Sequence, residues 1–179
     1  MSEERGKTMD FTPHEFAELY GTIYTELYRY ALYALGNEED AKDAVSDAVL
    51  DGFRQRESLR DKGAFKQWMF AILANKCRRK KKEYVERRAN EQTMQTDSED
   101  ETWDIADEHA PDISENLWIR QMFAKLGTEE QEILSLRLFA GYTSREIGQL
   151  LGQPPGTIRS KEHRALEKLR KEMTVYGKR

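Results

Sequence analysis

Cysteine is all but missing from this chain of 179 residues, with Cys77 the single one. An internal disulfide framework and a multi-cysteine zinc site are therefore excluded. Histidine is also scarce, and His14, His109 and His163 are too widely spaced for a metal-ligand motif. Only four prolines and 11 glycines punctuate the sequence, which argues against a many-turned β architecture and leaves room for long helices. No apolar run approaches the roughly 18 residues of a membrane span. The opening residues, MSEERGKTMDF, lack the apolar stretch of a secretory signal. Catalytic signatures are missing too: there is no Walker loop, GxSxG, HExxH or suitably spaced Cys/His pair. Cys77 lies beside a basic run expected to lower its pKa, yet one thiol without a base is a poor nucleophile. These absences predict a non-enzyme without cofactor or metal, located in a reducing cytoplasm.

What the chain does have is charge. Charged residues make up 35% of it, against about 25% in an average domain. The net charge of -4 conceals an asymmetry. Residues 11–82 carry 13 basic and 11 acidic groups, residues 83–115 carry 2 and 12, and residues 116–179 carry 12 and 7. Two mildly basic blocks flank one strongly acidic segment, a pattern that suggests nucleic-acid contact by the blocks and a separate task for the middle.

Helix signals are dense. Thr12-Pro13-His14-Glu15 reads as a capping box with proline at the first helical position. Phe16, Leu19, Tyr20, Ile23, Leu27 and Tyr30 then recur at helical spacing, and Gly36 offers a left-handed end. Asn37 is a good N-cap for a helix over 37–54, with Glu38, Glu39 and Asp40 favouring its dipole. A third helix carries Phe65, Trp68, Met69, Ile72 and Leu73 and runs into Arg78-Arg79-Lys80-Lys81-Lys82. Periodicity then vanishes from Glu91 to Asp112, an acidic stretch too poor in apolar residues to offset its ordering entropy. Trp103 and Ile105 are its exceptions, available to anchor it to a partner. Helical spacing returns after Ser114, a candidate N-cap. Further capping boxes are expected at Thr128-Glu129-Glu130-Gln131 and Thr143-Ser144-Arg145-Glu146. Gly152 and Gln153-Pro154-Pro155-Gly156 make a turn before a last helix. The expected fold is all-α, with small helical domains at 11–92 and 114–174 joined by a flexible acidic linker over 93–113.

The most specific pattern is residues 142–171. A short capped helix, a glycine-containing turn and a longer basic helix make the sequence form of a helix-turn-helix. Ile158, Ala165, Leu166 and Leu169 form the apolar stripe of its last helix. Thr157, Ser160, Lys161, Arg164 and Lys168 form another face, flanked by Arg159 and His163. Such a helix fits the major groove, reads base edges near its start and neutralises phosphates. A solvated charged face on a plain three-helix bundle is the bland alternative. On the helix after Phe65, Asn75, Lys76, Arg78, Arg79 and Lys82 make a hydrogen-bonding basic surface suited to a DNA strand. A solubilising helix end accounts for it equally well. Asp40, Asp43, Asp47 and Asp51 share one stripe of the helix 37–54. Their mutual repulsion weakens an isolated helix, whereas a charge-complementary protein partner makes such a stripe specific.

Taken in order, DAKDAVSDAVLDGF (40–53), FKQWMFAILANKCRRKKK (65–82) and LGTEEQEILSLRLFAGYTSREIGQLLGQPPGTIRSKEHRALEKLR (126–170) resemble the extracytoplasmic-function, or group IV, sigma factors of bacterial RNA polymerase. The segments are similar to that family's region 2.2, regions 2.3/2.4 and region 4. The resemblance implies a sigma factor that binds core RNA polymerase, directs it to promoter DNA and assists opening. It implies polymerase docking through Asp40, Asp43, Ser46, Asp47, Leu50 and Phe53. It implies capture of the minus-ten strand by Arg60, Lys62, Asn75, Lys76, Arg78 and Arg79, with a base flipped from the stack. Minus-thirty-five recognition falls to Arg137, Thr157, Arg159, Ser160, Lys161, His163, Arg164 and Lys168, with Arg137 at a position that holds backbone phosphate. The linker is expected to thread towards the polymerase active-site channel, and an anti-sigma partner is expected. Glu162 stands where the family usually has an apolar residue, so it is expected either to pair with a nearby cation or to turn outwards. A polymerase-independent helix-turn-helix regulator is the alternative reading; it needs neither the aspartate stripe nor Asn75.

Overall fold

The computed structural model describes residues 11–91 and 117–176. The expected linker, Trp103, Ile105 and the Ser114 cap fall outside them. All regular structure among the described residues is helical: α1 (Pro13–Leu35), α2 (Glu38–Gln55), α3 (Phe65–Glu91), α4 (Leu117–Ala124), α5 (Thr128–Leu138), α6 (Ser144–Leu151) and α7 (Pro155–Tyr176). Two 3-10 turns, Arg56–Ser58 and Lys62–Ala64, join α2 to α3.

The caps act as the sequence requires. The Thr12 hydroxyl accepts from the Glu15 amide at 3.2 Å while the Glu15 carboxylate accepts from the Thr12 amide at 3.0 Å. Gly36 ends α1 at φ 82°, a conformation that costs glycine nothing. Asn37 accepts from the Asp40 amide at 2.8 Å and starts α2. One cap differs from expectation. Gly127, not Thr128, is the N-cap of α5, and the Glu130 carboxylate accepts from its amide at 3.0 Å. Thr128 is the first helical residue. Glycine is a tolerated cap, and Glu130 makes the half of a capping box that needs no N-cap side chain, the bond to the cap amide.

α1, α2 and α3 form a bundle. Small residues on α2 (Ala41, Ala44, Ala48 and Gly52) are buried and let α1 and α3 approach closely. At Gly52, an added Cβ would lie 2.6 Å from the Met69 sulfur. Phe65 meets Phe11 and Phe16 edge to face, with centroids 5.7 and 5.3 Å apart, and Phe11 and Phe16 lie tilted at 6.0 Å. The inward stripe of α3 is wider than its start suggests, and buries Phe65, Met69, Phe70, Leu73, Ala74 and Cys77. Burial pushes the Cys77 thiol up to about 12. This corrects the expectation of a lowered pKa: desolvation of the thiolate outweighs the neighbouring cations.

α4 to α7 make the second unit. Phe123, Leu126, Leu134 and Ala165 form its own small cluster. Ile133, Leu136, Ile147 and Ile158 instead join the core built by α1–α3. The two units are therefore packed together through α1 and α5. Tyr33 of α1 lies between the Phe123 ring at 4.8 Å and the Phe139 ring at 5.2 Å.

Candidate nucleic-acid interface

The helix-turn-helix is α6, its turn and α7. Thr143 caps α6 in a complete capping box with Glu146, and Gly152 closes it at φ 66°. Gly148 allows the turn to fold back: an added Cβ there would sit 2.5 Å from the Gln153 carbonyl oxygen. α7 buries Ile158 and Ala165 and leaves Arg159, Ser160, His163 and Arg164 exposed along one side of its first three turns. Leu166, expected in the apolar stripe, is 44% exposed. Thr157 is half-buried at the start of the helix.

The remaining upstream candidates are engaged by carboxylates of the same unit, Lys161 and Lys168 by α5 and Arg137 by α7. Lys161 pairs with Glu129 and donates to Gln153 at 2.9 Å. Lys168 pairs with Glu130 at 2.8 Å. These bonds hold both carboxyls below their usual range and border a groove of about 320 Å³ between the start of α5 and α7. Arg137, near the end of α5, places Nε 3.1 Å from Glu162 and donates to the Tyr142 carbonyl at 2.9 Å. Glu162 thus takes the first of its two expected courses, pairing with a cation.

On the first unit, α2 turns Ser46, Asp47, Leu50 and Phe53 outwards. Leu50 is 52% exposed, although leucine is ordinarily sheltered. The rest of the aspartate stripe is relieved by α3. Lys80 bonds Asp40 at 3.1 Å and reaches Asp43 at 3.5 Å, and Lys76 pairs with Asp51 at 2.5 Å. Burial raises Asp40, but the Asn37 and Lys80 hydrogen bonds outweigh it and hold the carboxyl below its usual range. The self-repulsion expected from this stripe is thus largely cancelled within the fold.

The minus-ten candidates divide the same way. Arg60, Asn75 and Arg79 are exposed, with Arg79 reaching Glu83 at 3.4 Å. Lys62, in the α2–α3 connection, pairs with Glu15 at the start of α1 at 2.5 Å, and Lys76 is held by Asp51. Arg78 is drawn into the junction between the units. It donates to the Asn75 side chain at 2.5 Å and to the Leu150 carbonyl at 3.1 Å, and lies 3.4 Å from Glu132. Sequence reading passed over Gln67 and Tyr142: the Tyr142 hydroxyl donates to the Gln67 carbonyl, and the Gln67 amide donates to Glu146 at 3.1 Å. Tyr142 does carry a signal in the sequence, an aromatic directly before a capping box.

An outward-turned acidic and apolar helix face on one helical unit, and a helix-turn-helix with an exposed reading face on the other, define a DNA-reading transcription factor of two helical domains. Family models narrow the class. "Sigma-70 region 2" matches residues 19–87 and "Sigma-70, region 4" matches residues 122–171, well over half of the chain between them. The chain belongs to the sigma-70 family of RNA polymerase sigma factors, and within it resembles the extracytoplasmic-function group. It is 28% identical over 162 residues to RNA polymerase sigma factor YlaC of Bacillus subtilis, covering 88% of this chain and 91% of that one. With ECF RNA polymerase sigma factor SigM of Mycobacterium tuberculosis it shares 24% over 156 residues, covering 87% and 76%. Its fold is similar to that of the sigma factor RpoE solved in complex with the anti-sigma factor NepR from Bartonella quintana. The TM-score is 0.71 at 19% identity, covering 90% of this chain and 98% of that one.

Proposed function

We propose that this chain is a promoter-specificity subunit, which joins core RNA polymerase and reads two promoter elements. It is a transcription initiation factor and not an enzyme. The observation that carries the proposal is the division of exposed surface. Leu50 and Phe53 stand out from α2 beside Asp47, while α7 holds Arg159, Ser160, His163 and Arg164 clear on the other unit. Exposed apolar side chains beside acidic ones suit docking on a basic protein surface. Arginine, serine and histidine on the first turns of a groove-fitting helix suit base edges and phosphates.

In this reading the unit spanning 11–92 docks on polymerase through the α2 face. It takes the minus-ten strand with Arg60, Asn75 and Arg79, and with Lys62, Lys76 and Arg78 once their internal partners release them. Flipping a base costs unstacking energy that pocket contacts must offset. The unit spanning 114–174 grips the upstream element through α7. The acidic segment 93–113 enters a polymerase channel built to attract nucleic acid, and RNA displaces it. The protein acts in the cytoplasm, and an anti-sigma partner holds it in reserve.

Transcription by purified core polymerase, with and without this protein, on fragments of the source genome tests the proposal. New start sites sharing two upstream motifs are the expected result. Core binding lost on Asp43→Lys/Asp47→Lys, with promoter-duplex binding retained, is the second. Duplex binding without any core binding by the unaltered protein would favour a stand-alone regulator instead.

A further inference from the structure

In this structure α7 is strapped to α5 at both ends of α5, with charges of opposite sense. At the start of α5, Glu129 and Glu130 hold Lys161 and Lys168. At its end, Arg137 holds Glu162. The second strap is the less expected one, because it places a carboxylate on the sheltered side of the reading helix. The Glu162 side chain is only 14% exposed, and a charge so placed needs a partner. It has two. One carboxylate oxygen lies 3.1 Å from Arg137 Nε, and the other accepts from the Ser144 hydroxyl at 3.4 Å. Arg137 is itself fixed a second time, by donating to the Tyr142 carbonyl at 2.9 Å. Glu162 therefore ties α7 to the end of α5 and, through Ser144, to the first residue of α6.

The position of the tie decides its consequence. Glu162 falls between Ser160 and His163, in the same turn as Arg159. A restraint there sets the rotation and tilt with which those side chains meet DNA. Two edges of the Arg137 guanidinium already point at protein acceptors, and its charge is neutralised by a carboxylate that would be left stranded if Arg137 moved away. We infer that Arg137 and Glu162 are a positioning pair for the reading helix, and that Arg137 works through Glu162 rather than by holding a DNA phosphate. This inference rests on the reading of α7 as the helix that recognises the upstream element.

Holoenzyme is assembled with Arg137→Gln, Glu162→Gln, the double variant and Arg159→Ala. Binding is measured to one promoter with its upstream element intact or scrambled, over a range of salt. The readout is the ratio of the two affinities, which a pair serving only stability would leave unchanged. Each single variant is expected to lower the ratio about tenfold, and the double variant to be no worse than either single, the signature of coupled residues. The salt slope is expected to hold in Arg137→Gln. A slope reduced by about one would overturn the inference, since it marks a lost phosphate contact. So would additive effects, or a lowered melting temperature with the ratio intact. Glu162→Gln keeps the shape and the bond to Ser144, so it remains informative if Arg137→Gln folds poorly. Arg159→Ala separates the two readings: if it too leaves the ratio unchanged, the upstream role of α7 fails and the inference falls with it.

Discussion

Arg78 on α3 lies 3.4 Å from the Glu132 carboxylate on α5, so a cation of the expected minus-ten face is engaged by the other helical unit. Its guanidinium also donates to the Leu150 carbonyl. Glu132 is mostly buried, and that burial raises its carboxyl above the usual range. Lys81, buried alongside, is pushed down by the same cause. A buried polar group that loses its partner costs about 1–3 kcal/mol. Arg78→Ala is expected to weaken the packing of the two units by that order and to expand the free protein. Small-angle scattering reads this as a larger radius of gyration at unchanged helix content. An unaltered radius would show that the shared apolar core, around Ile133 and Leu136, holds the units without the ion pair.

The turn of the helix-turn-helix depends on a missing side chain. Gly148 leaves room for the Gln153 carbonyl oxygen, which an added Cβ would approach to 2.5 Å. Gln153 also donates its amide to the Gly148 carbonyl at 2.9 Å, so neither backbone can retreat alone. Gly148→Ala is expected to destabilise the protein by about 1–3 kcal/mol, as overpacking does, against the slight gain alanine gives elsewhere in a helix. Gly21→Ala is the control, since nothing lies within 4 Å of its added Cβ. Chemical denaturation of both variants checks the contrast.

Local signals were legible in the sequence, and tertiary ones were not. Thr12, Asn37 and Thr143 declared their helices because capping chemistry is confined to four residues. Thr128 misled because its hydroxyl fits a cap, while Gly127 had no signal beyond Glu130 three residues on. The face of α7 was readable from helical spacing as far as Arg159, Ser160, His163 and Arg164. Spacing does not say which helix packs opposite, so it gave no sign that Glu129, Glu130 and Glu162 hold Lys161, Lys168 and Arg137. The internal partners of Arg78 and Lys76, Glu132 and Asp51, were hidden for the same reason. Cys77 was read from its neighbours in the chain, whereas its pKa follows from the core it faces.

Cys77 gives a direct test of that core. It is 2% exposed, with its thiol pushed up to about 12 by burial. Thiolate, not thiol, attacks alkylating reagents. The native protein is expected to resist iodoacetamide at pH 8, and to react with one equivalent once unfolded in guanidinium. Rapid labelling of the native protein, followed by mass spectrometry, would show that α3 opens locally far more often than its packing suggests.

Arg159 and Lys161 are two residues apart and are expected to behave differently. Arg159 is exposed on the reading face. Lys161 is turned to Glu129 and Gln153. If Arg159 contacts a base edge, Arg159→Ala lowers upstream-element affinity by about 1–3 kcal/mol and relaxes preference at that base pair. Lys161→Ala is expected to leave sequence preference intact and to act on the domain's stability. Selection of bound sequences from a randomised upstream library separates them, and equal loss of preference in both variants would contradict the placement of Lys161.

Glu15 links the first cap to acid stability. The Lys62 hydrogen bond, aided by the Thr12 amide and hydroxyl, lowers its carboxyl from an ordinary 4.5 to about 2. A carboxyl depressed in the folded state binds its proton more readily when unfolded. Its contribution is therefore complete above about 4.5, and is lost as the pH falls towards about 2. Glu15→Gln removes that dependence while keeping an acceptor for the Thr12 amide. Melting temperature plotted against pH is expected to fall less steeply for the variant across this window, and to run parallel to the parent protein above it. Lys62→Met provides the complementary case, because the pair is lost while Glu15 can still titrate. A Lys62→Met curve that coincides with the parent's slope throughout the window would mean that Lys62 leaves Glu15 for solvent. In that event Lys62 is available to a DNA strand without displacing any internal partner.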